Sequence, residues 1–168
     1  MKAQTVKTQT VKTQTMKVQV MNGPNLNLLG TREPEIYGDD TLKDITARCQ
    51  KLGEETQMEI NFLQSNYEGQ IVTWIQEAIN TIEVIIINAG AYTHTSIAIH
   101  DALRAYTGFT VELHISNPHL REPFRHISYI SSTADAIVAG LGIKGYEHTI
   151  TMLAHLRDHT TKLPNSAS

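Results

Sequence analysis

The sequence predicts an α/β domain built on a parallel sheet, and three observations carry that prediction. From Met16 onward, short runs of branched and apolar residues alternate with stretches of helical periodicity, the pattern of strands joined by crossover helices. The run Val84 to Ile87 is apolar at every position, as a central strand covered on both faces requires. Turn-forming residues gather directly behind the strand runs, in Asn22-Gly23-Pro24 and in Asn88-Ala89-Gly90, where the chain must leave the sheet.

Taken in order, the first strand begins at Met16 and contains VQVM. A helix starts near Thr41, an N-cap residue with Asp44 three positions later, and runs to about Gln57. MEINFLQ is the second strand. Glu68 to Asn80 forms the second helix, with Ile71, Trp74, Ile75, Ala78 and Ile79 on one face. The third strand is the 84–87 run, and a third helix spans about Ser96 to Tyr106. FTVELHIS at 109–116 is the fourth strand, Asp135 to Ala139 the fifth, and the last helix runs from about Gly145 to Asp158. Five strands with intervening helices make a three-layer, flavodoxin-like, doubly wound sheet, whose ligands bind outside the carboxyl ends of the strands. Candidate functional residues should therefore follow Met21, Leu63, Ile87 and Ile115.

The chain of 168 residues suits one domain, 16–168, preceded by a low-complexity extension over 1–15. VKTQT occurs twice within that extension, which is too short to stack into a repeat fold and offers no aromatic cluster to bury. Its folding is expected to be optional, the alternative being that its alternating Val and Thr pair at a sheet edge.

A formal net charge of -3 leaves no basic stripe for phosphates, so nucleic acid is not an expected partner. No apolar run approaches the roughly 20 residues that span a bilayer, so no membrane partner is expected either. The single cysteine, Cys49, excludes an internal disulfide framework and fits a reducing, cytoplasmic setting. It keeps helical step with Leu42, Ile45 and Leu52, which makes it a buried small hydrophobe.

The strand ends collect unusual polar residues: Asn22, Asn25, Arg32 and Tyr37; Gln64, Ser65, Asn66 and Glu68; Asn88, Gly90, His94 and Ser96; His114, Ser116, Asn117 and, soon after, Arg125. Singly, loop asparagines make turns and arginines make solvated surface pairs; the functional signal is convergence on one rim. Neither GxGxxG nor GxxxxGK[ST] is present, so no dinucleotide or nucleoside triphosphate is indicated. His155 and His159 have i, i+4 spacing but lack an HExxH context, and His126 and His148 read as surface or packing residues; no metal is expected. Ser96 and Ser116 lack the GxSxG elbow of a serine nucleophile. Proton transfer is the chemistry that remains.

A phenol with a pKa near 10 is ionised in only roughly one molecule in a thousand at neutral pH, a handicap of about 4 kcal/mol. A nearby cation recovers about 1.4 to 4 kcal/mol of that. Arg32 lies five residues before Tyr37 in a segment bent by Pro34 and Gly38, so the two can meet; arginine suits the task because it does not lose its own proton. The same residues also fit a tyrosine packed over a loop beside a solvated arginine. Glu112 and His114, two apart in a strand, share a face. A carboxylate neighbour favours an imidazolium, as a general acid needs, although a core histidine satisfied by backbone fits the pattern too.

The segments NGPNLNLLGTREPEIYG, QSNYEG, NAGAYTHTSIAIHDAL, ELHISN, REPFRHISYIS and GLGIKGY, in that order from Met16 to Leu153, resemble the successive motifs of type II 3-dehydroquinate dehydratases. The resemblance implies a flavodoxin-like fold, no cofactor, and anti elimination of water from 3-dehydroquinate to 3-dehydroshikimate through an enolate. It implies Tyr37 as the base, Arg32 as its activator, His114 as the acid and Asn25 as the residue associated with a water near the enolate. It further implies Asn88, Gly90, His94, Arg125 and the backbone of Ile115 and Ser116 as the substrate's holders. Asp101 matches a residue that reaches the site of a neighbouring subunit, and a homo-oligomer, a dodecamer of trimers, is expected. His100, Tyr67 and Pro118 depart from the residues common at those positions.

Overall fold

The computed structural model describes residues 15–31 and 39–159. Arg32 and Tyr37 lie outside the described residues, as do residues 1–14 of the N-terminal extension. Five strands, β1 (Met16–Asn22), β2 (Met58–Gln64), β3 (Val84–Asn88), β4 (Phe109–His114) and β5 (Ala136–Ala139), form one sheet in the order β2-β1-β3-β4-β5. Every neighbouring pair is parallel.

The helices are α1 (Leu42–Glu55), α2 (Glu68–Ala78), α3 (Ile97–Ala105) and α4 (Lys144–His159). The start of α1 is dictated locally. Thr41 accepts a hydrogen bond from the Asp44 amide, and the Asp44 carboxylate accepts one from the Thr41 amide, a reciprocal capping box that satisfies donors the first turn would leave orphaned. Ser96 caps α3 in the same sense, its hydroxyl accepting from the Ile99 amide.

Period-two alternation divides the strands between two cores. Val84 and Ile86 join Val18, Val20, Val111 and Leu113 beneath α1 and α4, in contact with Ile45, Cys49, Tyr146 and Ile150. Ile85 and Ile87 point the other way, into Ile71, Ile75, Ile99 and Leu103 of α2 and α3. All four residues of the 84–87 run are fully buried, each removal from water being worth about 1.5–3 kcal/mol. This is the three-layer flavodoxin-like arrangement, with β1 and β3 at the centre where the chain switches direction across the sheet.

Several boundaries differ from the sequence expectation, each for a local reason. β4 ends at His114 rather than Ser116, because the chain turns into a short 3-10 helix at Pro118. α2 stops at Ala78, and Asn80 takes a positive φ of 62° in the turn that follows. Ile71, Ile75 and Ala78 of α2 are buried, while Trp74 and Ile79, the residue just past the helix, only flank the core. Cys49 is fully buried and its thiol is pushed up to about 12 by burial, as a packing residue would be.

Candidate active site

The carboxyl ends of β1, β3 and β4 open on a cavity of about 130 Å³. Two backbone crossings set its floor. The Gly23 amide donates to the Asn88 carbonyl at 2.8 Å, and a Cβ on Gly23 would lie 2.3 Å from the Ala89 oxygen. Gly90 takes a φ of +57° against Pro24, a conformation that favours glycine. The loops behind β1 and β3 are thereby locked together, which brings Asn25 and Asn88 to one cavity.

Of the residues expected at the site, Asn25, Asn88, Gly90, His94, His114, Ile115, Ser116 and Arg125 all line this cavity. Asp101 does not; it is exposed on α3. Asn25 holds a left-handed φ of 68°, and its amide donates to the Asn66 side chain at 3.0 Å. Asn66 also accepts from Gln64, and its carbonyl accepts from the Tyr92 hydroxyl. The polar residues behind β2 thus act as a buttress for the Asn25 loop.

His114 pairs with Glu112 through Nε2 at 2.8 Å. The carboxylate can only accept there, so Nε2 carries a proton and Nδ1 is the nitrogen left for the cavity. Glu112 is fully buried, and it also accepts from the hydroxyls of Ser128, at 2.6 Å on the same oxygen as His114, and Ser131 on the other oxygen. Burial pushes this carboxyl up, but the hydrogen bonds from His114, Ser128 and Ser131 outweigh it and hold the group below its ordinary range. Of the two sequence readings of His114, the core histidine satisfied by backbone gives way to the carboxylate-paired one.

His94 is oriented in the same manner, its Nδ1 donating to the Ile127 carbonyl at 2.7 Å. Arg125 is steered by Glu122, at 2.8 Å from Nε, and lies over the Phe124 ring. Asn88 donates through Nδ2 to the Tyr146 hydroxyl at 2.9 Å, and its Oδ1 accepts from the Gly90 amide. Tyr146 in turn donates to Asn22 Oδ1 at 2.6 Å, while Asn22 Nδ2 donates to the Leu63 carbonyl. Burial pushes the Tyr146 phenol far up, so it stays a donor.

Comparison with known proteins closes the question of kinship. The family model described as "Dehydroquinase class II" matches residues 16–154. The chain belongs to the class II dehydroquinase family. The 3-dehydroquinate dehydratase of Bartonella henselae is 56% identical over 126 residues, covering 75% of this chain and 85% of that protein. Among solved structures, the type II dehydroquinase of Propionibacterium acnes superposes with a TM-score of 0.80 at 41% identity, covering 83% of this chain and 96% of that one. The type II dehydroquinase of Butyrivibrio crossotus gives a TM-score of 0.80 at 44% identity, over 82% and 97% of the two chains.

In this class II dehydroquinase the three departures lie apart from the His114–Glu112 pair. His100 donates through Nδ1 to the Tyr129 carbonyl, and Tyr67 is exposed at the head of α2. Pro118 opens the turn after β4 and lines the cavity. Two residues escaped sequence reasoning. Arg121 lines the cavity, yet beside Glu122 in REPFR it reads as a surface charge. Tyr146 sits in GLGIKGY as one more apolar position on α4, and nothing local announces its partners on β1 and β3. Among the described residues, no group of three or more His, Cys, Asp and Glu side chains could hold a metal ion, and no helix is long and apolar enough to cross a membrane.

Proposed function

We propose that this chain is a hydro-lyase acting on 3-dehydroquinate, removing water in an anti elimination to give 3-dehydroshikimate through an enolate. The observation that carries this reading is the His114–Glu112 pair opening onto a cavity shared with Asn25, Asn88, His94 and Arg125, in a chain matched to class II dehydroquinases over residues 16–154.

The roles follow the chemistry. Tyr37, activated by Arg32, takes the proton beside the ketone; the electron pair moves to the carbonyl oxygen, forming the enolate, with Asn25 holding a water there. His114 then donates a proton to the departing hydroxyl as the carbon–oxygen bond breaks, so the leaving group is water. The support for Tyr37 and Arg32 is the REPEIYG motif and its likeness to the family; the support for His114 is its carboxylate partner at Nε2, which favours the imidazolium that carries a second proton on Nδ1, the nitrogen left for the cavity. Asn88 presents an amide whose direction is set by Tyr146. Gly90, His94 and Arg125, with the backbone of Ile115 and Ser116, complete the cradle for the hydroxyls and the carboxylate, and free backbone N–H groups near Ser116 suit the carboxylate. Proton transfer and loss of water change no oxidation state overall, so the step calls for no redox cofactor.

The reaction serves aromatic biosynthesis through the shikimate pathway or quinate breakdown, which share this elimination. We place the enzyme in the cytoplasm, a reading supported by its lone, buried cysteine. We also propose a homo-oligomer, a dodecamer of trimers, in which Asp101 reaches the cavity of a neighbouring copy. Its support is that Asp101 is exposed on α3 close to the uncovered Ile97 and lies outside the cavity of its own chain. Mixing an Asp101→Ala variant with a His114→Ala variant should restore activity; no restoration would sink the shared site. Residues 1–15 are read as an extension that the fold does not need, and deleting them should leave the melting temperature unchanged.

The central test follows the conjugated enone product by ultraviolet absorbance, using purified protein, 3-dehydroquinate and excess chelator. Turnover is expected with chelator present. No turnover without chelator would remove the assignment, and turnover abolished by it would point to a metal-assisted reaction.

A further inference from the structure

The segment Ile127–Ser131 touches both histidines of the cavity, one directly and one at a remove. The Ile127 carbonyl accepts from His94 Nδ1 at 2.7 Å. One and four residues on, the Ser128 and Ser131 hydroxyls donate to the two oxygens of Glu112, the first to the same Oε1 that His114 engages. Ser128 is itself fixed, because its hydroxyl oxygen accepts from the amides of Ile130 and Ser131 at 3.1 and 3.0 Å. Its proton therefore has one direction left, toward Glu112. The segment is docked by the fully buried Ile130 and by the Tyr129 amide, which donates to the Thr93 carbonyl at 2.9 Å.

The setting of Glu112 makes these hydroxyls consequential. Its register partners are Ile87 on β3 and Ile137 on β5, and α3 turns Ile99, Ala102 and Leu103 toward the same core. The charged and titratable residues of α3 are half-buried His100, which donates to the Tyr129 carbonyl, and exposed Asp101 and Arg104. His94, on the preceding turn, is committed to Ile127. Among the described residues, His114 is the titratable group hydrogen-bonded to Glu112, and the other side-chain donors to its carboxylate are two neutral hydroxyls.

We propose that Ser128 and Ser131 are positioning residues for the elimination: they hold the Glu112 carboxylate in the orientation that aims His114 at the departing hydroxyl. The inference rests on the reading of His114 as the acid. Each hydroxyl does two things. It restrains rotation of the carboxylate, and it draws off part of the negative charge that His114 would otherwise feel. Without them the carboxylate turns toward His114 alone, the imidazole follows, and its proton is held more firmly.

The test uses Ser128→Ala, Ser131→Ala and the double variant of the full chain. Steady-state rates are measured across pH, with thermal melts recorded in parallel. The double variant should lose about tenfold or more in kcat with a much smaller change in KM, and the alkaline limb of its kcat profile should move to higher pH by about half a unit or more. Ser131→Thr, which keeps a hydroxyl, should recover part of the loss. A folded double variant with the wild-type pH profile would overturn the proposal, as would a loss that Ser131→Thr does not recover at all. Should the double variant fail to fold, nitrogen-15 NMR of the His114 imidazole in each single variant decides the matter: unchanged ring resonances refute positioning, and a displaced Nε2 proton supports it. The imidazole measurement needs no substrate, so it separates failure of this inference from failure of the assigned reaction, which inactive wild-type protein would reveal.

Discussion

Asn88 on β3 donates its side-chain amide to the hydroxyl of Tyr146 on α4, 2.9 Å away across 58 residues of sequence. The polarity of that bond is forced from the far end. Leu63 offers a carbonyl to Asn22, so Asn22 must turn its oxygen to Tyr146, and Tyr146, having donated there, must accept from Asn88. Asn88 can therefore show the cavity its second amide hydrogen but cannot flip. Removing the Tyr146 hydroxyl by Tyr146→Phe strands Asn22 Oδ1 and frees Asn88 to turn. The expected cost is about 1–3 kcal/mol of stability, read by urea denaturation, together with a rise in KM larger than the fall in kcat. An unchanged KM would show that the orientation of Asn88 does not matter to substrate.

Tyr37→Phe should lower kcat by roughly two to four orders of magnitude with a modest effect on KM, because the missing oxygen acts only as the proton leaves. A variant retaining most of its kcat would take Tyr37 out of the role. Arg32→Lys should move the acidic limb of the pH profile upward, since lysine stabilises the phenolate less well; an unmoved limb would argue against activation.

The Glu112 carboxyl is held below its ordinary value of 4.5 in the folded protein by its hydrogen bonds, despite burial. A group depressed on folding stabilises the native state at pH above its unfolded value and loses that contribution as pH falls through the folded one. Stability to urea should therefore be level near neutrality and decline below about pH 4.5. Glu147 is likewise depressed; burial opposes it, and Lys144 and Arg48 prevail. Glu112→Gln should flatten part of the acid decline. An equally steep decline in that variant would assign the acid sensitivity elsewhere.

Gly23→Ala places a methyl 2.3 Å from the Ala89 carbonyl oxygen, and backbone on both sides leaves little room to yield. The expected result is a destabilisation of about 1–3 kcal/mol from overpacking and a loss of activity, because the loops carrying Asn25 and Asn88 are pushed apart. Thermal melts and the enone assay read the two effects. Wild-type values for both would show the crossing to be pliable.

Local signals made most of the architecture legible. The Thr41–Asp44 capping box, the all-apolar 84–87 run and the helical step through Ile45 and Cys49 each determine their own element, and the observed spans lie within a few residues of those expected. The rim was legible because the doubly wound fold sends its loops to one side. What escaped was long-range pairing. Tyr146 and Asn22 stand 124 residues apart, and a tyrosine on the buried face of a helix looks the same with or without a polar partner. Arg121 was hidden for the opposite reason, since an arginine beside a glutamate in a polar turn carries no mark of the cavity it lines. The serines of HISYIS carry no local mark of a shared partner, because their convergence on Glu112 depends on how the turn packs against β4.

Cys49, the chain's single thiol, lies without measurable exposure in the core between α1, α4 and the sheet. A thiol that is both sealed and protonated does not meet an alkylating reagent while the fold is closed. Its labelling rate consequently counts openings of the domain, one chemical event per excursion captured. The protein carries an internal stopwatch for its own unfolding, readable by mass spectrometry in any mixture and without substrate, and every variant above can be timed against it.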